Sequence, residues 1–197
     1  MYKRQFLIGL AAAGLTACTQ AQPVTAIGPD GLPLPTVYRI QPSDVDSIQF
    51  RMEESINALR LARGLAPVTL DSNLIASAAT HSRDMSVQNR PWLFGSDGSS
   101  PLERAQRAGF AGAFVGELIS ESFETELETL AAWMSQPDTR AIILDPAARR
   151  IGFAWFQERS GKLWWTLSVG ASPTGGTIAT PDIRPLGAPV AGSSFQG

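Results

Sequence analysis

The chain has 197 residues, of which 44% are hydrophobic and 17% charged, with a net charge of −2. This usage suits one globular domain with appendages and excludes wholesale disorder or a multi-span membrane protein; without a basic field, nucleic acid is excluded as the main partner. One cysteine and one histidine rule out an internal disulfide, a cysteine-built zinc site and a multi-histidine metal site.

Met1-Tyr2-Lys3-Arg4 leads into an apolar run from Phe6 to Leu15. A basic start and about ten apolar residues describe a secretory signal, and the run is too short for a bilayer, which takes about twenty residues. It ends Leu15-Thr16-Ala17-Cys18, which resembles the lipobox of bacterial lipoproteins. On that reading residues 1–17 are a signal peptide, and Cys18 accepts a diacylglycerol on its thiolate and a further acyl chain on its freed amine. Two or more chains anchor stably, at about 0.8 kcal/mol per buried methylene. The alternatives are an uncleaved N-terminal anchor, or an ordinary secretion signal with a chance cysteine. Processing removes Lys3 and Arg4 and takes the net charge to −4. Thr19 and Gln20 place no acid after the cysteine, which in diderm bacteria resembles an outer-membrane address. The expected location is the cell envelope, lipid-anchored and facing the periplasm, with membrane lipid as a partner through acylated Cys18.

Residues 18–42 hold Pro23, Pro29, Pro33, Pro35 and Pro42 with Gly28 and Gly31, a tether rather than a packed element. Val37-Tyr38-Arg39-Ile40 offers at most a short strand. Residues 172–197, with Pro173, Pro181, Pro185 and Pro189 among Gly and Ser, read as a flexible tail.

One region, 43–171, lies between them. Ser43 is placed to cap a helix carrying Val45, Ile48, Met52, Ile56 and Leu59 on one face, with Gly64 as its stop. Asp71 caps a second helix carrying Leu74, Ala78, His81 and Met85. Ser100-Pro101-Leu102-Glu103 and Thr125-Glu126-Leu127-Glu128 are capping boxes for two more, the first ended by Gly109 and the second carrying Leu127, Leu130, Ala131 and Met134. Val115 to Ile119 is a strand candidate. Ile151 to Phe156 alternates like a strand, Arg159-Ser160-Gly161 turns the chain, and Leu163 to Leu167 returns. Helices followed by a terminal hairpin predict an α+β sandwich, one domain. At about 130 residues it buries roughly two-thirds of its surface and needs no disulfide.

The motif order resembles the CAP domain, the superfamily of cysteine-rich secretory, antigen 5 and pathogenesis-related proteins, in its cysteine-free bacterial SCP-like branch. The matching pieces are Asn57-Ala58-Leu59-Arg60 with Gly64-Leu65-Ala66-Pro67, His81 with Asp84-Met85, Gly95 to Pro101 with Arg104 and Ala108-Gly109-Phe110, Gly116-Glu117, Trp133 with Arg140, Ile151-Gly152-Phe153 and Trp164-Trp165-Thr166. The resemblance implies an α-β-α sandwich. It also implies a polar cleft that in other members presents two histidines and one or two glutamates and is able to hold a divalent metal. Here Leu93 and Thr139 stand where the histidines are expected, and Leu118, Ile142 and Leu167 replace two asparagines and a glutamine. Only Glu117 remains.

Metal binding takes three or four convergent ligands, so the expectation is no metal and no cofactor. Glu117 among aliphatic neighbours would be desolvated, its pKa raised, in a dry apolar cleft formed with Leu93, Leu118, Thr139, Ile142 and Leu167. His81-Ser82 has no G-x-S-x-G elbow around it, and His81 reads as a helix-face residue beside Ala78 and Met85. Glu121 shares a strand face with Glu117, a spacing that would allow a glycosidase-like carboxylate pair. Glu124, Glu126 and Glu128 read as a solvated acidic first turn. Trp164 and Trp165 point to opposite faces of one strand, so either one faces a groove or both faces are covered.

The resulting expectation is a non-catalytic envelope lipoprotein, a binding module for a lipid or other apolar ligand or for another envelope component. The alternatives are an envelope hydrolase (peptidase or cell-wall enzyme) using Glu117, and a purely structural interaction lipoprotein.

Overall fold

Local signals set most of the element ends. The computed structural model describes residues 37–122 and 124–172; Cys18, the expected signal peptide, the expected tether up to residue 36 and the expected tail from 173 lie outside the described residues. Helix α1 (Val45–Leu61) follows a 3-10 turn, Pro42–Asp44. The expected cap, Ser43, lies inside that turn, because Asp44 accepts the Gln41 N–H at 2.9 Å and so carries the entry. Asp71 caps α2 (Ser72–Gln88) by accepting from the N–H groups of Asn73 and Leu74. Both capping boxes form, Ser100 with Glu103 ahead of α3 (Pro101–Arg107) and Thr125 with Glu128 ahead of α4 (Glu126–Ser135). Gly64 and Gly109 close α1 and α3 with positive φ, +68° and +91°. At each the next N–H, Leu65 or Phe110, reaches back to Arg60 or Ala105 in a Schellman pattern.

Four strands form one sheet in the order β1-β3-β4-β2. They are β1 (Thr69–Leu70), β2 (Phe114–Ser122), β3 (Arg150–Gln157) and β4 (Leu163–Gly170). β1 runs parallel to β3, and the other pairs are antiparallel. A short helix, α5 (Pro137–Ile143), follows α4 directly; it and the two-residue β1 are additions to the sequence reading.

Helices cover both faces, giving the expected α-β-α sandwich. On one side Ile48, Met52 and Ile56 of α1, Leu130 and Trp133 of α4 and Ile143 of α5 pack on Leu118, Ile151, Phe153, Leu163, Trp165, Leu167 and Val169. On the other side α2 rides so close to β3 that a Cβ on Gly152 would fall 2.1 Å from the Leu74 carbonyl carbon. Leu74, Ala105 and Phe110 form a small second cluster there. Trp164 and Trp165 do face opposite sides, and both are fully buried, so neither lines a groove. Trp165 stacks on Phe153 with centroids 5.3 Å apart. Trp133 also belongs to the core, its indole N–H donating to the Ile119 carbonyl at 3.1 Å.

The packed body begins at Val37, upstream of Ser43. The 37–40 segment forms no strand. Instead Tyr38 and Ile40 pack on the main core, the Tyr38 hydroxyl donates to Glu126 at 2.9 Å, and the Ile40 N–H donates to Gln157 at 3.1 Å. Glu126 is thereby buried, bonded also by Arg51 Nε at 2.8 Å, and only its neighbours Glu124 and Glu128 keep the solvated character expected of all three. Arg60, fully buried, donates to the carbonyls of Ala66, Ile143, Asp145 and Ala148, and Asn57 bonds both backbone groups of Val68. The Asn-x-x-Arg spacing on α1 is thus a staple for two loops.

Candidate functional site

Period two decides which residues meet Glu117. On β2 it pairs with Ser168 on β4, while the next pair, Leu118 with Leu167, points through the sheet to the α1 side. Glu117 faces α2 and α3. Its Oε1 accepts from Arg104 Nη2 at 2.6 Å and its Oε2 from Ser168 Oγ at 2.9 Å. His81 of α2 completes the group, with Nε2 3.7 Å from Oε1. Arg104 also donates to the carbonyls of Ser99 and Leu93, each at 2.8 Å.

The expected aliphatic cleft around Glu117 is therefore not what forms. Leu118 and Leu167 are core residues on the opposite face, joined there by Ile142 of α5. Thr139, also on α5, donates its hydroxyl to the Trp133 carbonyl and ties α5 to the end of α4. Leu93 is exposed at the side chain and serves the centre through its carbonyl. Cys18 lies outside the described residues. His81, Arg104 and Ser168 take the places around Glu117; His81 and Arg104 belong to the matching motifs, but neither motif places them beside the carboxylate. His81 does sit beside Ala78 and Met85, as its helical spacing implies, but its ring ends against the carboxylate.

Burial pushes the Glu117 carboxyl above the ordinary carboxylate range, with Arg104 and Ser168 pulling it back. Burial, then the Arg104 charge, pushes the His81 imidazole down to about 4. Neither ring nitrogen of His81 has a hydrogen-bond partner. The side chains of His81 and Glu117 are both 0% exposed. The group is a sealed polar centre in which a carboxylate meets a guanidinium and a neutral imidazole. It does not fit the family's metal: Arg104 already holds Glu117, and among the described residues no three His, Cys, Asp or Glu side chains converge. Nor does a carboxylate pair form, since Glu121 is held by Lys162 Nζ at 2.9 Å.

An open apolar groove lies in the other layer. Ser55, Ala58 and Leu59 of α1, Ala62 just past its end, and Leu127, Leu130, Ala131, Met134 and Ser135 of α4 line a groove of about 780 Å³. Its walls are helical, so their backbone groups are satisfied, and the Ser135 hydroxyl is turned back onto the Ala132 carbonyl at 2.6 Å. Small residues at positions 58, 62 and 131 open it. The sequence places Ala131 on the apolar stripe of its helix and Ala58 within the Asn57–Arg60 motif, but a groove exists only where the two helices meet and no single stripe shows it.

Residues 53–169 match the cysteine-rich secretory protein family, CAP. The chain is 30% identical over 129 residues to an uncharacterized Bacillus subtilis protein, YkwD, covering 66% of this chain and 49% of that one; it thus spans about half the length of that curated relative. The fold is similar to that of an extracellular SCP-domain protein from Bacillus anthracis, with a TM-score of 0.57 at 18% identity over 68% of this chain and 45% of that one. It is similar also to an outer surface protein of Borrelia burgdorferi, with a TM-score of 0.58 at 14% identity over 69% of this chain and 99% of that one.

Proposed function

The chain belongs to the cysteine-rich secretory protein (CAP) family, and on that premise we propose that it is an exported lipoprotein of the cell envelope whose CAP domain is a non-catalytic binding module for a single acyl chain. Its place is outside the cytoplasm, anchored through acylated Cys18 and, with Thr19 and Gln20 following, on the outer membrane. The names of the structural neighbours, extracellular and outer-surface proteins, support the extracytoplasmic part.

The observation that carries the binding reading is the contrast between the two centres. The polar one is closed and internally neutralised; the apolar groove between α1 and α4 is open. Its volume falls within the roughly 300–1,000 Å³ of ligand pockets. An extended peptide laid there would strand its backbone groups without hydrogen-bond partners, whereas an acyl chain makes no such demand. Hydrolysis by Glu117 would need that carboxylate to reach substrate, and Arg104, Ser168 and His81 enclose it.

The test uses the acylated full chain and a fluorescent long-chain fatty acid. Ala58→Trp or Ala131→Trp fills the groove from an exposed wall and should weaken binding about tenfold or more, equivalent to about 1.4 kcal/mol, while Glu117→Gln leaves it unchanged. Undiminished binding by both tryptophan variants overturns the groove reading.

A further inference from the structure

One end of the sandwich combines the exit of the tether with an apolar loop and unpaired cations. Val37, the first described residue, packs on the β3–β4 turn, where a Cβ on Gly161 would fall 2.1 Å from Val37 Cγ1. Arg39 donates to the Arg159 carbonyl of the same turn at 2.9 Å. That turn also holds the C-terminal end of α2: Lys162 Nζ donates to Asn89 at 3.0 Å, and Ser86 donates to Glu158 at 3.0 Å. Asn89, with φ +49°, closes α2 and throws the chain directly into Arg90-Pro91-Trp92-Leu93-Phe94.

That loop is apolar where a soluble loop is usually polar. Trp92, Leu93 and Phe94 are 42%, 38% and 45% exposed, and Val87 in the last turn of α2 is 77% exposed. The two rings lock edge to face, with centroids 5.7 Å apart, so the loop presents a firm wedge. The Arg90 guanidinium lies 3.5 Å over the Trp92 ring. Among the described residues Arg39, Arg90 and Arg159 have no carboxylate within 4.0 Å; of the nearby acids Glu121 and Glu158 face Lys162, and Asp84, behind the loop, accepts from Gln88 and Ser96. These arginines set cations beside the apolar loop on a chain that is acidic overall.

We propose that this end is a bilayer-docking face. Trp92, Leu93 and Phe94, with Val87 beside them, enter the boundary between headgroups and acyl chains, and Arg39, Arg90 and Arg159 meet anionic phosphates. Exposed aromatic and aliphatic side chains flanked by arginine suit that interface, and each cation near an anionic surface contributes about 1 kcal/mol. The proposal rests on the membrane anchoring put forward above. A segment from Cys18 to Val37 averages roughly 25 Å if coil-like, and more if polyproline-like, and it joins the domain at the same end as the wedge. Docking would hold the domain in one orientation on its membrane, with the α1–α4 groove set by that orientation.

The experiment uses the acylated full chain on vesicles of phosphatidylcholine and phosphatidylglycerol carrying brominated acyl chains. Flotation with the vesicles reads the anchor, and quenching of tryptophan emission reads the loop. Trp133, Trp164 and Trp165 are buried, and the Trp92→Phe variant identifies the Trp92 share. The expected result is quenching in the parent chain that drops at least threefold in Leu93→Asp/Phe94→Asp, with flotation and melting temperature unchanged. Flotation with Trp92 unquenched and still open to aqueous acrylamide overturns the docking face and leaves the anchor standing. Failure to float overturns the anchoring and the docking with it.

Discussion

Arg104 Nη2 lies 2.6 Å from Glu117 Oε1, and both side chains are all but withdrawn from water. Breaking such a pair from one side leaves a buried charge uncompensated, at about 3–5 kcal/mol. Arg104→Met should therefore lose stability of that order in urea unfolding at pH 7.5. Glu117 without its cation carries a further raised carboxyl, so the penalty is absent below the unfolded value near 4.5 and grows as pH rises through the folded one. Relative to the parent chain at each pH, the deficit should shrink markedly at pH 4.5. An equal deficit at both values would mean that the carboxylate is not what Arg104 compensates.

His81 supplies a pH dependence of opposite sign. Its folded pKa is about 4 against 6.5 for the unfolded chain. The unfolded state then binds a proton that the folded state refuses, so stability is full above pH 6.5 and falls as pH falls toward 4. The slope approaches about 1.4 kcal/mol per pH unit, a total on the order of 3 kcal/mol. Glu117, shifted up, pushes the other way from pH 4.5 upward, and the parent curve alone shows only the difference. Subtracting the His81→Asn curve isolates the histidine. A difference that stays flat from pH 7 to 4.5 would mean that His81 titrates normally in the fold.

The parts of this fold that were legible in the sequence are those settled within a few residues. Asp71, Ser100 and Thr125 cap through partners two or three positions away, so their motifs carry the whole interaction. β1 was not legible because two residues become a strand only by lying on β3, and α5 was hidden by Pro137, which reads as a breaker although it stands at the first helical position. The site shows a different failure. Grouping Glu117 with Leu118 and Leu167 followed the family's polar positions and ignored strand alternation, which alone separates neighbours in sequence onto opposite faces. The partners Arg104 and Ser168 come from other elements, 13 and 51 residues away, and no local pattern brings either of them to Glu117.

Gly152 ties the hairpin to α2. Any side chain there meets the backbone of Leu74 and Ile75 at 2.1–2.4 Å, and backbone inside a helix cannot swing aside as a side chain does. Gly152→Ala should force α2 off the sheet and cost about 3 kcal/mol, at the upper end of overpacking penalties. It should also disturb the Ser82–Thr166 hydrogen bond, 2.9 Å long, that lies further along the same contact. Urea unfolding and the amide exchange rates of α2 check this together. Unchanged stability would mean that α2 and β3 are not in backbone contact in solution.

Tyr38 offers a direct optical reading of how firmly the start of the packed body is held. The chain has two tyrosines, and the proposed cleavage before Cys18 would remove Tyr2 and leave Tyr38 as the sole phenol of the processed protein. Burial, then the hydrogen bond to Glu126, pushes its pKa up to about 12, because ionisation would set a phenolate beside a carboxylate. Titration of the processed chain by absorbance at 295 nm should show no phenolate at pH 10.5 and a midpoint near 12, while the urea-unfolded chain titrates near 10. A raised acid of this kind stabilises the fold below pH 10 and loses that contribution as pH rises through its folded value, so alkaline unfolding should be steeper in the parent than in Tyr38→Phe. The same variant removes a hydrogen bond to a charged acceptor and should cost about 2 kcal/mol at pH 7, leaving Glu126 to Arg51 alone. A single phenol titrating at its ordinary value in the folded protein would place residues 37–40 free of the domain.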